Sequence, residues 1–283
     1  MRIVSLSPLV FLALPLSAQP RLPIIDMHLH AVAADANGPP PLALCVPISA
    51  FPVHDPRASW GETFIQWQKK PLCASPVWSP MTDEALMNET IAVLKRRNVI
   101  GVLSGTVSRV QTWKRAAPDH LIAGLQFQLG RESFSPDSLQ RLHENGMFMV
   151  LAEVSNQYVG ISPSDSVFEP YLAVAEQRDI PVGIHIGTGP PGAAHLGLPR
   201  YRAALHSPLT LEDALVRHPK MRVYIMHAGW PMLDDLLAVM WVHPHVYAEL
   251  GGIIFGVPRA ELYRYLQRIV EAGFGKRVMF GSD

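Results

Sequence analysis

Apolar residues along this chain come in short runs that alternate with longer amphipathic stretches. The runs fall at residues 22–25, 99–103, 121–127, 147–152, 182–186, 223–226, 246–250 and 278–280. They are rich in Val, Ile and Leu and carry no polar alternation, as expected of strands buried on both faces. Between them the spacing predicts helices over 82–97, 136–144, 167–177, 211–216, 232–240 and 259–270. Thr82 stands where it can cap the first of these, with Asp83 and Glu84 in the opening turn. Strand-then-helix alternation implies parallel strands joined by right-handed crossovers. Eight such strands predict an α/β fold, a (β/α)8 TIM-like barrel. The pattern alone also allows an open, doubly wound sheet.

Three regions depart from the alternation. Residues 31–80 are rich in Pro, Trp and turn residues and show no sustained period. Such a long insertion after strand one is expected to act as a lid. Residues 1–18 pair a positive start, Arg2, with a short apolar core over 9–14 and a small-residue exit at Ser17-Ala18. They predict a signal peptide cut near Ala18 and a periplasmic or extracellular protein. The apolar core is too short to span a bilayer, and no cysteine follows Ala18 to take a lipid, so no stable membrane anchor is expected. The mature chain, residues 19–283, then forms one barrel domain. At the far end the sequence stops on Asp283, directly after the last strand. The barrel is therefore expected to lack its last helix, and the natural protein to continue for at least one more.

Composition narrows the partners. Lys+Arg and Asp+Glu are 24 each, for a net charge of 0, and 48% of residues are hydrophobic, enough for a sizeable core. No basic stripe points to nucleic acid and no acidic run to a disordered tail. A small-molecule substrate is the expected partner, with a homodimer the one further assembly allowed for. In an exported protein the two cysteines, Cys45 and Cys73, are expected to form a disulfide that pins the insertion; a free buried pair is the alternative.

The twelve histidines put the barrel to a test, because such barrels carry their chemistry at the C-terminal ends of the strands. In "DMHLH", His28 and His30 end strand one, and residues two apart on a strand project to the same side. His185 ends strand five in "PVGIHIG", His227 strand six in "VYIMHAG", and Asp283 strand eight in "FGSD". His120, His218, His243 and His245 precede strands, and His143 sits in a helix; structural or solvent roles are expected there. His54, His195 and His206 occupy loops on the active side, as surface residues or substrate contacts. Neutral imidazoles held side by side are half of a metal site, and the strand-end set forms a constellation.

The motifs "DMHLH", "IPVGIHIG", "HAGWP" and "FGSD", in that order, resemble the amidohydrolase superfamily. They are most similar to its amidohydrolase-related branch, which includes the aminocarboxymuconate-semialdehyde decarboxylase-like enzymes. The resemblance covers residues 23–283. It implies His28, His30, His185 and Asp283 as ligands of a divalent ion, with His227 binding a second ion or polarising the substrate. Imidazole and carboxylate suit zinc, and would also take manganese, iron or cobalt. Many binuclear relatives bridge their ions with a carboxylated lysine after strand four. That strand has no lysine here, and Glu153 at its end could bridge or orient a ligand. One tightly bound ion is the expectation.

The implied chemistry is hydrolysis of an amide, ester or lactone bond by a metal-activated water. Asp283 would take and return the proton, and His227 would steady charge on the attacked oxygen. Arg200 and Arg202 could hold a substrate carboxylate, and Trp230 could touch the substrate. Decarboxylation on the same frame is the runner-up. Decarboxylases of the branch often carry a glutamate after the strand-six "HxG", where this chain has Trp230. A non-catalytic exported metal or ligand binder is the third class, and it would have no need of a proton shuttle such as Asp283.

Overall fold

The computed structural model describes residues 22–131 and 134–283; the signal peptide expected over residues 1–18 lies outside them. In chain order the elements begin with β1 (Ile24–Ala31), followed by β2 (Ala43–Leu44), α1 (Trp60–Lys69) and β3 (Val77–Trp78). Then come α2 (Asp83–Arg97), β4 (Val99–Gly105), α3 (Val107–Ala116), β5 (Leu121–Phe127), α4 (Pro136–Glu144), β6 (Val150–Val154), α5 (Glu169–Gln177) and β7 (Val182–His185). The chain continues through α6 (Glu212–Arg217), β8 (Val223–Met226), α7 (Leu233–Val242), β9 (Val246–Glu249), α8 (Ile253–Gly256), α9 (Arg259–Glu271) and β10 (Val278–Met279).

β1 and β4 to β10 form one eight-stranded sheet in consecutive order, each neighbouring pair parallel. The last segment returns to the first: the Met27 N–H donates to the Phe280 carbonyl at 2.9 Å and the Asp283 N–H to the His28 carbonyl at 2.7 Å. The sheet is thus a barrel, and the open doubly wound alternative is excluded. Val102, Val150, Ala152, Tyr224 and Met226 pack its centre, while two larger apolar clusters fill the space between strands and helices.

Local chemistry sets the boundaries. The Thr82 hydroxyl accepts from the Ala85 N–H at 3.1 Å, the cap read from the sequence, and Asn98 ends α2 with φ 53°. Ser135 caps α4 ahead of Pro136 in the same way.

β1 runs through both histidines to Ala31, as their placing at the end of strand one expects, because a barrel interior that holds a polar centre accepts imidazoles inside a strand. One boundary differs from the sequence reading. Residues 147–149 lie outside β6: Phe148 is buried but Met149 is 61% exposed, so the apolar run turns Met149 outward before the strand begins at Val150.

The insertion also has more structure than its composition suggests. Ser59 caps α1, β2 pairs antiparallel with β3, and a Cys45–Cys73 disulfide with Cα atoms 5.7 Å apart ties the segment together. Short-range capping and aromatic stacking, rather than a long period, make this helix: Trp60, Phe64 and Trp67 stack at 5.8 and 5.6 Å. The Trp60 indole N–H donates to the Pro191 carbonyl at 2.8 Å, and the Ile48 N–H to the Phe255 carbonyl at 2.9 Å. The insertion thereby docks on the loops that follow β7 and β9, on the side where the strands end. Among the described residues, no helix is long and apolar enough to cross a membrane.

Candidate metal centre

Alternation along β1 brings the two imidazoles together, with His28 Nε2 and His30 Nε2 2.9 Å apart. Asp283 closes the group, its Oδ1 lying 3.0 Å from His30 Nε2 and 3.4 Å from His28 Nε2. His28 donates its Nδ1 proton to Glu249 Oε2 at 3.2 Å. In the neutral ring that leaves Nε2 bare, facing a second imidazole nitrogen and a carboxylate oxygen. Such an arrangement repels itself unless a proton or a cation lies between the atoms. Donors at these separations suit an ion bound at about 2.0–2.2 Å.

A second group faces the first. Glu153 Oε1 is hydrogen-bonded by His185 Nδ1, and His227 Nε2 lies 2.9 Å from that same nitrogen. The Ser104 hydroxyl fixes Glu153 by accepting its backbone N–H at 2.7 Å. Glu153 Oε2 then lies 3.9 Å from His30 Nε2, spanning the two groups. His227 takes a left-handed φ of 60°, so the chain turns directly after β8 and leaves the imidazole over the barrel. Its Nδ1 donates to the Gly251 carbonyl at 2.8 Å, which leaves Nε2 bare toward Glu153 and His185.

Three overlapping donor sets result, each with ligand atoms within 4.8 Å of one another: His28, His30 and Asp283; His28, His227 and Glu249; and Glu153, His185 and His227. His30 Nδ1 and His185 Nε2 are buried with no hydrogen-bond partner among the described residues, two ligand-type nitrogens left unsatisfied there. The residues present fit a divalent cation.

The electrostatics agree. Burial raises the Asp283 carboxyl, but His28, His30 and His227 outweigh it and hold the group well below the usual carboxylate range. Burial likewise opposes ionisation of Glu153, yet His185 and His227 keep it charged. Burial pushes the His28 imidazolium down, but Asp283 and Glu249 lift it to about 10. His185 goes the other way, lowered by burial and by the neighbouring His227. The pocket gathers carboxylate charge and calls for positive charge in return.

The family model described as Amidohydrolase matches residues 25–283. This chain belongs to the amidohydrolase family. No curated protein matches this chain by sequence. Solved structures share its fold. An uncharacterised TIM-barrel protein from Bordetella bronchiseptica is 19% identical, with a TM-score of 0.52 over 70% of this chain and 68% of that one. A probable 2-pyrone-4,6-dicarboxylic acid hydrolase from Acinetobacter baumannii is 16% identical, with a TM-score of 0.53 over 93% and 84%. A 5-carboxyvanillate decarboxylase from Novosphingobium aromaticivorans, solved with bound manganese, is 13% identical, with a TM-score of 0.50 over 69% and 70%.

The structure does not gather all the expected side chains into one set. His185 groups with Glu153 and His227 rather than with His28, His30 and Asp283. Arg200 and Arg202 are exposed, and Arg202 is held by the carbonyls of Pro199 and Tyr201 in its own loop. Trp230 turns its indole N–H to Glu261 on α9 at 3.0 Å.

Other residues were missed. Glu249, fully buried, ends β9 and touches both His28 and the His227 backbone. Its signal is legible in the sequence, a carboxylate ending the seventh predicted strand in "VYAEL". Tyr158 packs its ring on His185 at 4.6 Å and stacks on Tyr201, which in turn meets His206. Burial, with His185 and His227 nearby, pushes the His206 imidazolium down to about 4. Its neutral ring therefore stands at the end of an aromatic wall leading to the centre.

Proposed function

We propose that this amidohydrolase is a metal-dependent hydrolase acting on an amide, ester or lactone bond of a small molecule. The observation that carries the reading is the position of Asp283. Its Oδ1 lies 3.0 Å from His30 Nε2 and 3.4 Å from His28 Nε2, so a water held beside those imidazoles is within reach of its carboxylate.

His28, His30 and Asp283 would hold one cation, and Glu153, His185 and His227 would hold or face a second. Zinc is the ion proposed, the donor set also admitting manganese, iron or cobalt. When bound, the cation would supply Lewis-acid chemistry, polarising a carbonyl and bringing the pKa of a water to about 7. Asp283, kept ionised by its imidazole neighbours, accepts a proton from the attacking water and passes it to the leaving nitrogen or oxygen. Glu249 keeps His28 in one tautomer. The neutral His227 ring offers a bare nitrogen to the centre; its imidazolium, which Glu153 and Asp283 favour against burial, would donate to a developing oxyanion.

Residues 1–18 support export as part of the same reading, and the neutral net charge supports a small-molecule substrate. A solved neighbour named as a decarboxylase keeps the runner-up in view. One experiment separates the two: a panel of lactones, esters and amides run beside a carbon dioxide release assay on aromatic acids. Turnover in the panel without carbon dioxide release is the expected result. Carbon dioxide release alone would overturn hydrolysis.

A further inference from the structure

Asp26 is 2% exposed and belongs to none of the three donor sets. Its Oδ1 accepts two main-chain N–H groups at 3.0 Å, from His28 on β1 and from Ser282 after β10. Those amides come from opposite ends of the described sequence, and each lies beside a residue that faces the metal centre or belongs to it.

The surroundings explain why a side chain is needed there. The pairing of β1 with β4 shifts register between Asp26 and Leu29, a bulge that takes the His28 N–H out of the regular ladder. Asp26 supplies the missing acceptor. On the other side β10 is only Val278–Met279, so Gly281, Ser282 and Asp283 follow with no strand to hold them. What ties them to β1 is a short set of bonds: Ser282 N–H to Asp26, Asp283 N–H to the His28 carbonyl at 2.7 Å, and the Ser282 hydroxyl to that same carbonyl at 3.4 Å. Gly281 passes so close to Glu249 and His28 that a side chain would have no room.

We propose that Asp26 is the positioning residue of the centre: one carboxylate oxygen clasps β1 to the segment after β10 and thereby sets the spacing between His28 and Asp283. The functional consequence rests on the metal-centre reading, whereas the clasp itself does not. A donor set assembled from two chain segments binds an ion well only if their relative position is fixed in advance. Asp26 touches no reacting atom and acts through the backbone of the residues that do.

The test compares Asp26→Ala, which removes the acceptor, with Asp26→Asn, which keeps an acceptor oxygen and removes the charge. Two quantities are read in metal-stripped full chain: zinc affinity by competition with a chelating dye, and hydrogen exchange at the Ser282 and Asp283 amides. Asp26→Ala should lose about 10–100-fold in zinc affinity and exchange both amides faster, with its far-ultraviolet circular dichroism unchanged. Asp26→Asn should stay close to wild type in both. If Asp26→Ala does not fold, Asp26→Glu, which displaces the acceptor by one methylene, should show the same losses in its place. Wild-type exchange and affinity in the acceptor-deficient variant would overturn the clasp. So would an Asn variant as impaired as Ala, since charge rather than placement would then matter. Exchange needs no metal, so it decides the clasp even in a chain that binds no zinc, a result that would instead overturn the metal-centre reading.

Discussion

His28 donates its Nδ1 N–H to Glu249, so its neutral ring turns a bare Nε2 toward His30 and Asp283. Substituting either histidine should therefore empty the centre rather than unfold the barrel. His28→Ala and His30→Ala are each expected to lose metal and at least about 100-fold in turnover, a ligand counting for more than the residues that orient it. Metal content and circular dichroism measured together check this, and full metal in both variants would contradict it. Glu249→Ala should cost about 10–100-fold in zinc affinity, because His28 then loses the partner that fixes its tautomer. Glu249→Gln should cost less, since an acceptor for the Nδ1 proton remains; dye competition measures both. The histidines were legible in the sequence because alternation along a strand is a local rule. Which nitrogens meet was not legible. The separation of His185 from the His28 group depends on how Glu153 and His227 pack, and those contacts cross the barrel.

The strands were legible because each is a compact apolar run, and the helices because caps and periodicity agreed, as at Thr82 and α2. In the insertion only the Cys45–Cys73 bridge was legible, two cysteines in an exported chain favouring a disulfide; its helix and its seat on the barrel were not, since they come from a stacked aromatic row and two docking hydrogen bonds. Closing a loop with a sequence separation of 28 should stabilise by about 3.6 kcal/mol in the chain-entropy model. The Cys45→Ser, Cys73→Ser double variant should consequently be cut by protease within residues 31–80 well before the barrel. Equal resistance in variant and wild type would show that the bridge does not hold the segment. On the outer face, α5 and α6 are joined through Arg217, Glu169, His218 and Glu176. Burial raises both glutamates, but Arg217 and His218 on Glu169, and the Lys220 amide and His218 on Glu176, together outweigh it and bring each below its ordinary carboxylate value. A depressed carboxylate stabilises the fold above its unfolded pKa, and that stability is lost as pH falls through the folded value. The melting temperature should thus drop below about pH 4.5, and less steeply in Glu169→Gln, Glu176→Gln. An identical acid profile in the variant would remove this pair from the account.

At the scale of the molecule, eight strands bring residues from 28 to 283 to one end of a barrel, and the ordering of motifs along the chain anticipated that convergence. Fold and family follow from it; the arrangement of the loops and the docked insertion, where sequence pattern is weakest, does not. The central claim is that these strand ends hold a divalent cation. Zinc titration of chelator-stripped protein, followed by calorimetry, tests it most directly. Saturable binding of at least one zinc per chain, lost in His28→Ala, is the expected result. A wild-type chain that takes up no zinc, manganese, iron or cobalt, or a His28→Ala chain that binds as tightly as wild type, would contradict it.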